Sequence, residues 1–151
     1  MTASFLEVGE TASFSKTITG ADLVLFSGIT GDFDPIHVDE EYARTTAFGR
    51  RIVHGGLVMG LLSTTASMMS RRSVERGSAA TSVSLGYDRV RFLKPVFIGD
   101  TLTARYTVEE LDTSAARSRS RAEVFNQSGE LVLAATHIMK WVMPAGEAAA
   151  S

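Results

Sequence analysis

Apolar and polar residues alternate from Phe14 to Ile18, the period of a strand with one buried face. The period changes after Thr19-Gly20-Ala21-Asp22, where Leu23, Phe26 and Ile29 or Thr30 recur at helical spacing. Thr19 or Asp22 can cap that helix, and Gly31 can stop it by taking the left-handed conformation at little cost. Gly31 to His37 is predicted as a loop in which Asp34, preceding Pro35, is pushed away from helical angles. Asp39-Glu40-Glu41-Tyr42 opens a short helix reaching Thr45 or Thr46, with acidic residues suited to its first turn. Phe48 to Val53 forms a second loop. A helix then begins at His54 and runs through Leu57, Leu61, Leu62, Met68 and Met69 to about Arg71. Everything later has strand character. Val83, Leu85 and Tyr87 lead on to Phe92; Leu102 to Val108 follows the Gly99-Asp100 turn; Arg117 to Phe125 and Leu131 to Val142 flank a turn at Asn126 to Gly129. Strands joined in this order by short turns predict an antiparallel meander, and Pro144 to Ser151 a frayed tail.

From Ile52 to Ser70 there is no Asp, Glu, Lys or Arg, a run about long enough to span a bilayer. Its glycines, its Ser and Thr clusters and His54 favour instead a helix buried on all sides within a folded domain. A sheet of about five strands must cover one face, and this helix is the element apolar enough to do it. The predicted fold is therefore α+β, an antiparallel sheet wrapped around a long central helix, the hot-dog arrangement, over residues 1–151 as one unit. A sheet edge left open predicts pairing with a second copy, as a homodimer or a dimer of dimers.

Composition narrows the chemistry. The chain has 151 residues, 44% hydrophobic and 21% charged, with a net charge of −2. That balance leaves no excess positive charge for nucleic acid or membrane surfaces, so neither partner is expected. The absence of cysteine excludes disulfides, zinc–thiolate sites, iron–sulfur clusters and cysteine nucleophiles. The N-terminal stretch has no basic start followed by an apolar run, so no secretory signal is predicted and the expected compartment is the cytoplasm.

The histidines are His37, His54 and His137. His137, in an apolar strand between Thr136 and Ile138, has the surroundings of a structural residue. His37 follows Asp32 by five residues, about 16 Å if extended, but a turn at Asp34-Pro35 can bring both side chains into one space. A carboxylate and an imidazole there can hold a water and move its protons; the bland alternative is that they cap or solvate the turn. At His54-Gly55-Gly56 the first helical turn leaves backbone N–H groups without partners, and glycines let a carbonyl oxygen approach them. That suits an oxyanion, or simply tight packing against the sheet. Ser63 can reach a ligand from the same helix or bond back to it.

Phe26-Ser27-Gly28-Ile29-Thr30-Gly31-Asp32-Phe33-Asp34-Pro35-Ile36-His37, with Ala47-Phe48-Gly49-Arg50-Arg51-Ile52-Val53-His54-Gly55, resembles the MaoC-like (R)-specific enoyl-CoA hydratases. Val90 to Asp100 is similar to the strand that follows in that family. The resemblance implies hydration of a trans-2-enoyl-CoA to a 3-hydroxyacyl-CoA, or the reverse dehydration. It implies water activation by Asp32 and His37, receipt of the thioester carbonyl by the Gly55 amide, and Ser63 lining the same site. His54 would brace the loop. Asp34 stands where the family commonly has asparagine; pointed inward it would perturb Asp32, turned outward it would only cap the turn. Phe33, Ile36, Val58, Met59 and Leu62 are expected to line the acyl pocket. Among Arg71, Arg72, Arg76, Arg89, Arg91 and Lys94, the last two are the favoured partners of coenzyme A phosphates. Arg117, Arg119 and Arg121 share one strand face, expected to be solvent. No cofactor is expected beyond the coenzyme A of the substrate. A metal held by Asp32, Asp34 and His37 is possible by ligand type, but three ligands in so short a loop compete with the proline turn, so none is expected. Two alternatives stand beside the hydratase: a hot-dog acyl-CoA thioesterase, against which the helix lacks a carboxylate, and a non-catalytic acyl-thioester binding module.

Overall fold

A computed structural model describes residues 5–145. Strand β1 (Thr11–Thr17) leads to helix α1 (Gly20–Thr30), the short helices α2 (Pro35–Val38) and α3 (Glu40–Arg44), and the long helix α4 (Gly55–Glu75). Strands β2 (Thr81–Phe92), β3 (Thr101–Asp112), β4 (Arg117–Phe125) and β5 (Leu131–Val142) follow. They form one antiparallel sheet in the order β1-β3-β4-β5-β2.

The sheet corrects the expected meander. Only β3, β4 and β5 follow one another in space; β2 does not neighbour β3 but crosses to the far edge beside β5, while β1 covers the other edge. This explains why β2, whose alternation predicts a buried face, is mostly exposed, with Val83, Leu85 and Phe92 in contact with solvent. Two register shifts, around Gly86 and Arg89, further bend this edge strand.

The core forms where α4 crosses the sheet. Val58, Leu61, Leu62, Ala66 and Met69 meet the inward residues of β3 (Leu102, Ala104, Tyr106 and Val108), of β4 (Ala122 and Val124) and of β5 (Leu133, Ala135 and Met139). The helix is not buried on all sides. Gly56, Gly60, Ser63 and Ser67 lie on an exposed face, and α4 extends a turn beyond Arg71 because Arg72 and Arg76 close on Glu10 at 3.0 and 2.5 Å. No helix among the described residues is long and apolar enough to cross a membrane.

Local chemistry sets the segment before α4. Thr19 caps α1 in a reciprocal box with Asp22, and Gly31 ends it at φ 80°. The loop expected from Gly31 to His37 contains one helical turn, α2, because Pro35 suits a first helical position and Asp34 caps it. Asp39 caps α3 in the same way, through the Tyr42 N–H. Arg117, Arg119 and Arg121 are exposed, with Arg119 paired to Asp88 and Arg121 to Glu109 and Glu123. Of the expected frayed tail, residues 146–151 lie outside the described residues.

Candidate functional site

Two loops converge at the start of α4. One carboxylate oxygen of Asp32 and one ring nitrogen each of His37 and His54 lie within 4.8 Å of one another. Asp32 is exposed, His37 half-buried and His54 fully buried, so the cluster runs from solvent into the core. The His37 and His54 rings stack with centroids 3.9 Å apart and planes 28° from parallel.

The hydrogen bonds assign the protons. His37 Nδ1 lies 2.8 Å from the Ile52 carbonyl, which can only accept, so Nδ1 carries the hydrogen and Nε2 is left for chemistry. His54 Nε2 lies 3.2 Å from the Asp32 carbonyl and 3.2 Å from Ser27 Oγ, which puts its proton on Nε2. His54 thereby ties the backbone of Asp32 to α4. Burial holds the His54 imidazole below the usual histidine range; the Asp32 carbonyl opposes this, and His37 adds to it. His54 Nδ1 is buried without a hydrogen-bond partner.

Asp34 turns away from the cluster. Its carboxylate accepts the Ile36 N–H at 3.1 Å, and its own N–H donates to Asp32 Oδ1 at 3.2 Å. It caps α2 and leaves Asp32 as the carboxylate that joins the histidines. Of the three residues weighed as metal ligands, Asp32 and His37 lie together, with His54 in place of Asp34 as the third group near enough to share an ion.

A cleft of about 430 Å³ opens beside His37, bounded by Phe48, Ile52, Gly55, Val58, Phe92 and Lys94 among others. Gly55 and Gly56 form the first turn of α4, where N–H groups have no intrahelical acceptor. A Cβ at Gly55 would lie 2.8 Å from the Phe92 ring, and one at Gly56 2.8 Å from the Phe26 ring, so a side chain at either position would have to push that ring aside.

The other expected binding residues divide. Val58 and Lys94 share the cleft with His37 and Gly55, although Lys94 is ion-paired with Glu130. Ser63 and Met59 instead line a second cavity farther along α4. Leu62 is 0% exposed and belongs to the core, because its position on α4 faces the sheet. Phe33 is 61% exposed, and Ile36 offers its carbonyl to the Ile52 N–H; neither borders a cavity described here. Arg91 is exposed and donates to its own Val90 carbonyl at 2.8 Å. Arg72 and Arg76 are committed to Glu10 and are not free for phosphates. Residue-by-residue reading missed Ser27, which is buried against His54, and Phe92, which closes the cleft from β2. A polar residue on the inward face of α1 is the signal for Ser27; nothing local signals Phe92.

Known proteins share this architecture. A curated relative from Aeromonas caviae, named (R)-specific enoyl-CoA hydratase, is 34% identical over 140 residues, covering 93% of this chain and 98% of the relative. Another of that name, from Rhodospirillum rubrum, is 41% identical over 106 residues, 70% of this chain and 68% of its own length. The solved structure of an R-hydratase from Pseudomonas aeruginosa superimposes with a TM-score of 0.77 at 32% identity, covering 95% of this chain and 86% of that one. The MaoC like domain family matches residues 5–128, and with the hot-dog architecture described above the chain belongs to that family.

Proposed function

We propose that this chain is an (R)-specific enoyl-CoA hydratase, adding water to a trans-2-enoyl-CoA or removing it from a 3-hydroxyacyl-CoA. The observation that carries the reading is the meeting of Asp32 and His37 beside the first turn of α4. The β-carbon of an enoyl thioester is weakly electrophilic until its carbonyl is polarised. Unpaired N–H groups at Gly55, aided by the helix dipole, stabilise the enolate that forms as water adds. Asp32 accepts a proton from the attacking water, and the oxygen bonds to the β-carbon. For the α-carbon to gain its proton, His37 must carry hydrogen on Nε2 as well as on Nδ1 when the substrate arrives. It gives up the Nε2 hydrogen and becomes the neutral Nδ1–H imidazole, and the proton taken up by Asp32 then passes to Nε2 to restore the starting state. Both groups act from one side of the substrate, so addition is syn. The names of the relatives from Aeromonas caviae and Rhodospirillum rubrum support the same reaction. The site is expected to be completed by a second copy of the chain, since β1 and β2 leave both sheet edges open.

Crotonyl-CoA separates this reading from its rivals. Loss of enoyl absorbance without thiol release is the expected result, with (R)-3-hydroxybutyryl-CoA as product. Thiol release would identify a thioesterase, and binding without either change a non-catalytic module. Gly55→Ala tests the carbonyl site: the added methyl must displace the Phe92 ring at the cleft wall. The expected result is a fall in kcat/KM of about ten- to a hundredfold, read by steady-state kinetics on crotonyl-CoA. Unchanged kinetics would show that the close packing of Gly55 against Phe92 does not shape the carbonyl site.

A further inference from the structure

The cleft beside His37 has a floor and a rim. Val53, Val58, Val96 and Val132 are buried at its floor, whereas Phe48 and Lys94 are exposed at its rim. A thioester received at Gly55 must send the charged part of its carrier out over that rim, because a phosphate buried among valines would lose its water and gain no partner.

Arg50 stands at this rim. Two residues separate it from Phe48 on one side and from Ile52 on the other, and both of these line the cleft. Ile52 offers its carbonyl to His37 Nδ1 and pairs with Phe97 in an isolated bridge. The Arg50 guanidinium lies over the Phe97 ring, 3.9 Å from its centroid. The segment that fixes the His37 ring therefore also fixes Arg50.

Its charge is uncommitted. Arg50 is exposed, and among the described residues its guanidinium has neither a carboxylate nor a hydrogen-bond partner. The cations around it are paired: Arg44 with Glu41, Arg51 with Glu40 at 2.9 Å, and Lys94 with Glu130. Of the two cations favoured from the sequence, Lys94 is thus held by a carboxylate and Arg91 bonds its own Val90 carbonyl. A ring under one face of a guanidinium leaves the N–H donors, which lie in its plane, pointing outward. That planar fork matches the oxygens of a phosphate, and the ring beneath it reduces the freedom lost when the two meet. Resting on the hydratase reading, we infer that Arg50, held over Phe97 at the rim of the cleft, binds a phosphate of the coenzyme A carrier and so selects the phosphorylated thioester.

The test compares steady-state hydration of crotonyl-CoA with that of crotonyl-pantetheine, which keeps the thioester and lacks every phosphate. Since the crotonyl group carries no anion, any effect read at Arg50 comes from the carrier. The chain is expected to favour the coenzyme A ester in kcat/KM by at least about tenfold, with the difference in KM. R50A should lower that ratio by about five- to twentyfold, and R50K by less, since an ammonium keeps the charge but not the fork. A ratio that R50A does not move overturns the inference and leaves the hydratase reading standing. An equal fall on both thioesters overturns it too, since Arg50 would then only hold the loop in shape. Hydration of neither thioester overturns the hydratase reading and this inference with it.

Discussion

Asp32→Asn is expected to lower kcat for crotonyl-CoA hydration by about a hundred- to ten-thousandfold, the range for loss of a positioned proton acceptor. The substitution is nearly isosteric, and the contacts that shape the loop survive it. The side-chain oxygen still accepts the Asp34 N–H, and the backbone carbonyl still accepts from His54 Nε2. An amide cannot take a proton from water, so the loss falls on the chemical step and not on folding. Thermal unfolding and the affinity for a 3-hydroxyacyl-CoA should stay close to those of the wild type while kcat collapses. Turnover near the wild-type value would refute the role given to Asp32.

The second large effect is on stability in acid. His137 has a pKa lowered to about 4 in the folded chain against an ordinary value of 6.5, because burial penalises its charged form. Below 6.5 the unfolded chain therefore binds a proton that the folded chain refuses, and stability falls as pH falls. The contribution is fully present above about 6.5, is lost progressively down to about 4, and amounts to about 3 kcal/mol across that window. Folding also leaves the His54 pKa below its ordinary value, which adds to the slope in the same direction. Comparison with His137→Gln isolates the His137 share. Urea unfolding at pH 7, 5.5 and 4 should give a shallower decline for the variant than for the wild type. Equal slopes would mean that His137 takes up its proton without cost to the fold.

Much of the local structure was legible before any coordinates. Thr19, Asp22 and Gly31 bound α1, Asp39 caps α3, and the turn at Asn126 to Gly129 joins β4 and β5 because these side chains satisfy or free the backbone at short range. The order of the sheet was not legible. A strand pattern such as Val83-Leu85-Tyr87 records alternation but not which strand lies beside it, and β2 pairs with β5 across some fifty residues. The one-turn helix α2 was hidden because Pro35 ends helices as readily as it begins them.

At the site the same division holds. The residue types and short spacings of Asp32, His37, His54 and Gly55 are properties of two neighbouring loops, so the chain alone determined the chemistry available there. Which way each side chain turns depends on partners brought from elsewhere. The Ile52 carbonyl leaves His37 Nε2 free, Ser27 on α1 holds His54, and Asp34 spends its carboxylate on a helix cap. The placement of Leu62 in the core and of Ser63 in a separate cavity was likewise decided by the rotation of α4 against the sheet. Adjacent residues on a helix point about 100° apart, and only packing selects which of them meets the core.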